Sequence, residues 1–315
     1  MILGLNGVRQ MNERKHGIVF CSCLLVVLLI VPFAAWAGDS HPGLLNVYVV
    51  NYPLKYFAER IGREHVKVEF PAQPDQDPAF WIPDIQTISA YQQADLILLN
   101  GAAYSKWVSK VSLPRSRAVN TSGKFKDQYI TIEGAVTHSH GSGGEHAHEG
   151  VAFTTWLDFD LAAKQAKAIA KALTRKKPDL QETFQKNYIA LERDLVLIDK
   201  NIKTIVSKNP SKQLIGSHPV YDYFARRYGL NMKSVHWEPD EIPSNEQWAE
   251  LQTILKAFPA KWMIWEGNPI KEPVAKLKSM GINSLVFDPC GNIPDQGDFL
   301  SVMWKNVENL KPAFR

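Results

Sequence analysis

Short apolar runs alternate with helical patterns of apolar residues near the start of the chain. The runs predict strands at 45–50, 66–70 and 94–99, and the patterns predict helices at about 54–62 and 85–93. Strands separated by helices of this length are typical of a parallel sheet that is covered by helices on its faces. The pattern therefore predicts an α/β lobe.

A nearly continuous helical pattern covers about 158–207 and is interrupted only at Pro178. Apolar residues recur there at three- and four-residue steps, which places them on one helix face: Phe184, Tyr188, Leu191, Leu195, Ile198, Ile202 and Ile205. A helix of this length can join two lobes rigidly, unlike a Gly/Ser linker. The alternative is a helical hairpin that turns at Pro178, and the pattern leaves both open.

Alternation of strands and helices returns after this segment. Strands are predicted at 213–216, 232–236, 262–265 and 284–287, and helices at 221–228, 245–258, 272–280 and 302–310. The predicted fold class is α/β with two lobes, each a parallel sheet flanked by helices, joined by a long backbone helix. The expected divisions are an N-terminal lobe at 38–157, a linking helix at 158–208 and a C-terminal lobe at 209–315.

The first residues carry the pattern of a secretory signal. Two basic residues precede an uncharged apolar run at about 18–35, and the run ends in small residues before Gly38. A signal peptidase recognises this arrangement. We therefore expect removal of residues 1–37 by cleavage after Ala37, export to the periplasm, and Met11 as an alternative start. A retained membrane anchor is the other interpretation, because the run is close to spanning length.

Charge and cysteine content exclude some classes of protein. The 36 Lys and Arg against 32 Asp and Glu give a net charge of only +4, with no basic stripe interleaved with aromatic residues. Binding to nucleic acid is therefore not expected. Cys290 is the only cysteine beyond the predicted signal, so an internal disulfide is excluded.

A histidine-rich segment lies within a stretch of Gly and Ser at 134–150, where we predict a mobile loop. Its twelve residues from 138 to 149 contain two glutamates and four histidines: His138, His140, His146 and His148. Imidazole suits zinc, copper and nickel, so the segment predicts transition-metal binding. The alternative is a solvated loop that holds no ligand.

Three residues of the second lobe follow directly after predicted strands. They are His218, Glu266 and Asp288. Ligands of parallel sheets lie beyond the carboxyl ends of the strands, so these side chains can share one cleft. A structural role is the alternative, since Asp288 before Pro289 also suits the cap of a helix.

Four tryptophans stand near predicted strand or loop ends: Trp81, Trp156, Trp237 and Trp265. Core packing is the ordinary role of tryptophan. If these rings line the cleft instead, they can stack on an organic ligand.

Several short motifs lie beside the predicted elements. They read Asn51-Tyr52-Pro53-Leu54, Ala94-Asp95-Leu96-Ile97, Trp156-Leu157-Asp158, Ser217-His218-Pro219-Val220-Tyr221 and Asp288-Pro289-Cys290-Gly291. The histidine-rich segment stands between the second and the third of these motifs. The order and spacing of the motifs resemble those of the zinc and manganese solute-binding proteins of ABC importers, the cluster A-I binding proteins. The resemblance covers nearly all of the chain beyond the predicted signal.

The resemblance implies a rigid pair of α/β lobes that hold one metal ion in the cleft between them. In that family the usual ligands are one histidine from each of three motifs and a carboxylate from a fourth. The third histidine matches His218, and the carboxylate matches Asp288. The resemblance further implies a membrane permease of an ABC importer as partner.

Two of the usual ligand positions differ in this chain. The first motif normally reads Asp-Pro-His, and here it is Asp77-Pro78-Ala79; the second normally has a histidine where Thr154 stands. Alanine cannot ligate a metal, and a neutral threonine hydroxyl is a poor zinc ligand. Because closed zinc sites are almost always four-coordinate, His218 and Asp288 alone would hold the ion weakly.

Two functions remain open at this stage. The first is a metal-binding protein of an importer, with zinc as cargo and manganese as the second choice. In this function, histidines of the 138–148 segment complete a metal site around three residues: His218, Asp288 and Glu266. The second keeps the fold but binds an organic ligand or a metal chelate in a cleft lined by four residues: Ala79, Trp81, Thr154 and Trp156. We predict a monomer and no enzymatic activity, since no nucleophile stands beside a base.

Overall fold

The computed structural model describes residues 43–74, 76–132 and 150–315, together with the backbone of residues 137–139 and 145–147. The predicted signal at 1–37 and its cleavage site lie outside these residues. Among the helices in the described ranges, none is both long enough and apolar enough to cross a bilayer.

The first lobe contains a sheet of four parallel strands in the order β2-β1-β3-β4. The strands are β1 (Leu45–Val49), β2 (Val66–Glu69), β3 (Leu96–Leu99) and β4 (Ala118–Asn120), and the helices are α1 (Tyr52–Gly62) and α2 (Ile85–Gln93). Helix α1 begins where Asn51 accepts a hydrogen bond from the Leu54 amide, with Pro53 in the first turn. The sequence missed β4, because three residues are too few to show a period.

Short antiparallel pairs follow in the region predicted as a mobile loop. Strand β5 (Thr131–Ile132) pairs with β8 (Gly150–Val151), and β6 (Thr137–Ser139) pairs with β7 (Glu145–Ala147). His138 stands opposite His146 in the second pair. The prediction of a loop over 134–150 is therefore wrong at residues 137–139, 145–147 and 150. His140 and His148 lie outside the described residues.

Two helices connect the lobes, α3 (Phe159–Lys176) and α4 (Gln181–Val206). They pack against each other, so the hairpin alternative is correct and a single fifty-residue helix is not. The break falls at Pro178, after Lys177 leaves the helical conformation. Helix α4 is the long connecting helix, since it contacts α1 of the first lobe and also helices of the second.

The second lobe repeats the arrangement of the first, with four parallel strands in the order β10-β9-β11-β12. The strands are β9 (Gln213–Gly216), β10 (Asn231–Ser234), β11 (Trp262–Trp265) and β12 (Asn283–Val286). The helices are α5 (Asp222–Tyr228), α6 (Asn245–Ala257), α7 (Lys271–Ser279) and α8 (Phe299–Leu310). All the strands and helices predicted here are present, with ends displaced by at most three residues.

One hydrophobic core runs through both lobes and the connecting helices. Hydrogen bonds add further ties: the Tyr52 amide donates to the Gly291 carbonyl at 3.0 Å, and the Trp156 indole donates to the Pro289 carbonyl at 2.7 Å. Opening the lobes would expose this core to water and break these bonds. The contacts therefore favour a fixed pair of lobes over a hinged one.

Candidate metal centre

The centre of the second sheet positions the first two functional side chains. From β9 the chain crosses to β10 on one side, and it returns to β11 on the other, so the β9–β11 gap is the point where the strand order reverses. Ligands bind at such points in parallel sheets. His218 follows β9 and Glu266 follows β11, and a hydrogen bond of 2.8 Å from the Ser217 amide to the Ile264 carbonyl holds the two strand ends together.

A third side chain joins them from the neighbouring strand. Glu238 follows β10, and one donor atom from each of His218, Glu238 and Glu266 lies within 4.8 Å of the others. The imidazole Nδ1 is 3.2 Å from Glu266 Oε1, and Nε2 is 3.6 Å from Glu238 Oε1. We call this group the C-lobe centre. One imidazole and two carboxylates supply nitrogen and oxygen donors of the kinds that bind zinc.

The electrostatics of the C-lobe centre are dominated by its negative charges. His218 is only 5% exposed. Burial alone would lower the pKa of His218, but the charge and hydrogen bond of Glu266, with the charges of Glu238 and Asp77, raise it to about 9. The centre therefore attracts positive charge, and a proton on the imidazole occupies it at neutral pH.

Asp288 lies beside this group, after β12, but it does not belong to the three donors within 4.8 Å. Its carboxylate accepts a hydrogen bond of 2.7 Å from the Cys290 amide, and the Asn306 side chain binds its backbone on both sides. Burial raises the pKa of Asp288, and the negative charge of Glu266 adds to the rise. The contact with Cys290 closes a turn. In the described residues after β12 the first helix is α8, which Asp298 caps, so the helix-cap alternative for Asp288 is wrong.

The positions of the two differing ligands are buried among apolar and aromatic residues of the first lobe. Ala79 is fully buried, and its amide donates to Asp77 Oδ1 at 2.8 Å. The Thr154 hydroxyl donates to the Val220 carbonyl at 2.6 Å, which ties the first lobe to the loop after His218. That hydrogen bond occupies the hydroxyl proton and makes Thr154 an inter-lobe contact.

The four tryptophans differ in how deeply they are buried. Trp81 is half-buried, whereas Trp156 is 1% exposed and lies against Tyr104 with ring centres 5.6 Å apart. Trp237 and Trp265 are buried in a separate cluster of the second lobe, with ring centres 6.1 Å apart. Burial in this cluster gives Trp237 and Trp265 the core role that is ordinary for tryptophan.

Sequence reasoning missed Glu238, although the signal was present. The predicted strand at 232–236 ends two residues before Glu238, the same offset that separates the predicted strand at 213–216 from His218. The same rule that selected His218 and Glu266 would therefore have selected Glu238. The side chains of His138 and His146 lie outside the described residues, as do His140 and His148 entirely.

The fold and the site define a two-lobed α/β binding protein. It has two similar parallel sheets, a shared core, long connecting helices and a buried histidine-carboxylate group. The family model for ZnuA, the periplasmic component A of a zinc-uptake complex, matches residues 47–313, and the chain belongs to this family.

Individual relatives agree with this assignment. The chain is 26% identical over 280 residues to the zinc-binding lipoprotein AdcA of Streptococcus pneumoniae. This alignment covers 85% of this chain but 56% of that protein. It is 28% identical over 296 residues to the high-affinity zinc uptake system protein ZnuA of Bacillus subtilis, with 88% of this chain and 90% of that one covered. The chain therefore spans little more than half the length of AdcA.

Solved structures show the same fold. The metal-dependent lipoprotein YcdH of Bacillus subtilis superimposes with a TM-score of 0.72 at 24% identity, over 85% of this chain and 99% of that one. The Zn(II)-bound ZnuA-like domain of Streptococcus pneumoniae AdcA gives a TM-score of 0.73 at 23% identity, over 86% and 99%. At these identities the likeness concerns the fold alone.

Proposed function

We propose that this chain is the solute-binding protein of an ABC importer, and that it binds a divalent transition metal and passes the ion to a membrane permease. Zinc is the proposed cargo, and manganese is the second choice. The observation that carries the proposal is the C-lobe centre, where a buried imidazole lies between two carboxylates. The family membership and the zinc-binding names of the relatives support the same cargo.

The remaining coordination positions are assigned to two sources. Asp288 lies beside the C-lobe centre, close enough for the negative charge of Glu266 to raise its pKa. The histidine-rich segment supplies the imidazoles that Ala79 and Thr154 cannot, namely His138, His140, His146 and His148. Ligands from these sources would complete the four-coordinate arrangement that zinc prefers.

Removal of the segment's imidazoles tests this assignment. Serine at positions 138, 140, 146 and 148 keeps the length of the segment, and we expect the zinc Kd to rise about ten- to a hundredfold, because the ion loses a ligand. Isothermal titration of the purified mature protein measures the change, with His65→Ser outside the C-lobe centre as control. An unchanged Kd would show that the segment does not ligate the cargo, and no zinc binding by the unaltered protein would overturn the proposed function.

Zinc affinity is expected to depend on pH. With the pKa of His218 at about 9, the imidazole is protonated at neutral pH, and zinc must displace that proton. The apparent affinity should therefore rise about tenfold per pH unit between about pH 6 and pH 8, with about one proton released per ion from His218. Titrations in buffers of different ionisation enthalpy measure both quantities. An affinity that stays constant over this range contradicts the role of His218.

A second candidate function is a cleft for a metal chelate or an organic ligand. It is favoured by the aromatic residues next to Ala79 and Thr154 in the chain, where the rings of Phe80 and Phe153 lie 6.1 Å apart, and by the exposed Ile82 and Ile85. Native mass spectrometry of the protein from its own cells separates the two candidates. A bare metal ion favours the first function, and a bound mass that includes an organic group favours the second.

We also propose that the chain acts in the periplasm as a monomer without catalytic activity. Cleavage after Ala37 would leave Gly38 as the first residue of the mature protein. N-terminal sequencing of the exported protein tests the cleavage site, and light scattering of the purified protein tests the monomer. The shared core of the lobes is complete within one chain, which supports the monomer.

A further inference from the structure

The two ring nitrogens of His218 face different carboxylates. Nδ1 faces Glu266 and Nε2 faces Glu238. An imidazole binds one metal ion through one nitrogen, while the other nitrogen donates a hydrogen bond that fixes the ring's orientation and tautomer. The two glutamates therefore cannot have the same role toward an ion held by this ring.

The contact with Glu266 is within hydrogen-bonding distance. The distance from Nδ1 to Oε1 is 3.2 Å, which lies within the range for an N–H donor and an oxygen acceptor. Glu266 also follows directly after β11, whose end is bonded to the end of β9 through the Ser217 amide. This carboxylate is thus placed to hold the imidazole in one orientation.

The contact with Glu238 has a different geometry. At 3.6 Å, the separation of Nε2 and Oε1 is too long for a good hydrogen bond. Two ligands on a tetrahedral zinc ion, with bonds of about 2.0–2.1 Å to nitrogen and about 2.0–2.2 Å to oxygen, lie roughly 3.4 Å apart. The observed separation therefore fits a nitrogen and an oxygen that share one ion.

We propose that Glu238 and the Nε2 atom of His218 are direct ligands of the metal, and that Glu266 is a positioning residue that orients the ring through Nδ1. The proposal rests on the proposed function, in which the C-lobe centre binds the cargo. It also means that a carboxylate from the second lobe has taken over part of the coordination that Ala79 and Thr154 cannot provide. Both of these ligands then lie on one lobe, so their arrangement does not depend on movement between the lobes.

Cobalt(II) and zinc(II) titrations of four variants test the division of roles. We expect Glu238→Gln to raise the zinc Kd by about a hundredfold or more and to change the visible absorption of bound cobalt, because a direct ligand is lost. Glu266→Leu should raise the Kd about ten- to a hundredfold while the cobalt spectrum at saturation stays the same, because the coordinating atoms are unchanged. Glu266→Gln keeps a hydrogen-bond acceptor for Nδ1 and should restore most of the affinity. The exposed Glu241→Gln in the same loop is the matched control and should bind as the unaltered protein does.

Each contrary outcome has a distinct meaning. A zinc Kd for Glu238→Gln within about threefold of the unaltered protein overturns the ligand role of Glu238 while leaving the proposed function intact. A changed cobalt spectrum in Glu266→Leu makes Glu266 a direct ligand and overturns its positioning role. If Glu238→Gln fails to fold by circular dichroism, Glu238→Asp keeps the carboxylate and should give intermediate affinity; affinity equal to that of the unaltered protein would count against the proposal. Absence of zinc and cobalt binding in the unaltered protein overturns the proposed function itself.

Discussion

Replacement of His218 by alanine is expected to weaken zinc binding by at least about two orders of magnitude, measured by isothermal titration of the mature protein. His218 is the imidazole of the C-lobe centre, and it is 5% exposed between the carboxylates of Glu238 and Glu266. Its loss removes the nitrogen donor and leaves oxygen donors, which bind zinc less selectively. The histidine-rich segment would then have to hold the ion without its anchor on the sheet.

The control for this change is His65→Ala, which removes a partly exposed histidine of the first lobe that lies outside the C-lobe centre. It should leave the zinc Kd unchanged. If His218→Ala binds zinc as tightly as the control, then the cargo is held elsewhere, with the histidine-rich segment as the first place to look. Circular dichroism of both variants shows that the comparison is made between folded proteins.

Replacement of Trp156 by alanine should lower the free energy of unfolding by about 3–5 kcal/mol, the usual cost of removing a large buried aromatic side chain. Trp156 is 1% exposed, packs against Tyr104, and donates its indole proton to the Pro289 carbonyl across the lobes. Urea denaturation measures the change. Trp156→Phe keeps part of the packing but loses the hydrogen bond, so its effect should be smaller.

The control for the packing effect is Val196→Ala on α4, where the side chain is 54% exposed. Surface substitutions of this kind change stability by about 0.5 kcal/mol or less. A loss below about 1 kcal/mol for Trp156→Ala would contradict the view that this ring joins the two lobes in one core.

The fold was largely predictable because its elements carry strong local signals. The bounds of β9, β11 and α2 agree with the prediction, since apolar runs and capping residues mark their ends. The hairpin of α3 and α4 could not be decided from the same pattern. An amphipathic face looks the same whether it packs on a partner helix or continues along one axis. Only the tertiary contacts decided between the two.

The candidate site was predictable in part. His218 and Glu266 were found by their positions after strands. Glu238 stands at the same offset after the predicted strand at 232–236 as His218 does after 213–216, so the same rule applied to it as well. The assignment of Asp288 is different, because a carboxylate before proline can cap or ligate, and sequence does not show which atoms it faces. The hydrogen bond from Thr154 to Val220 is a long-range contact and left no mark on the local pattern.

The most direct test of the central claim, that the cargo metal is bound at the C-lobe centre, is the anomalous scattering of zinc in crystals of the mature protein. We predict one strong peak at about 2.0–2.1 Å from Nε2 of His218 and about 2.0–2.2 Å from a carboxylate oxygen of Glu238. A peak confined to residues 138–148, with no anomalous density beside His218, would contradict the claim.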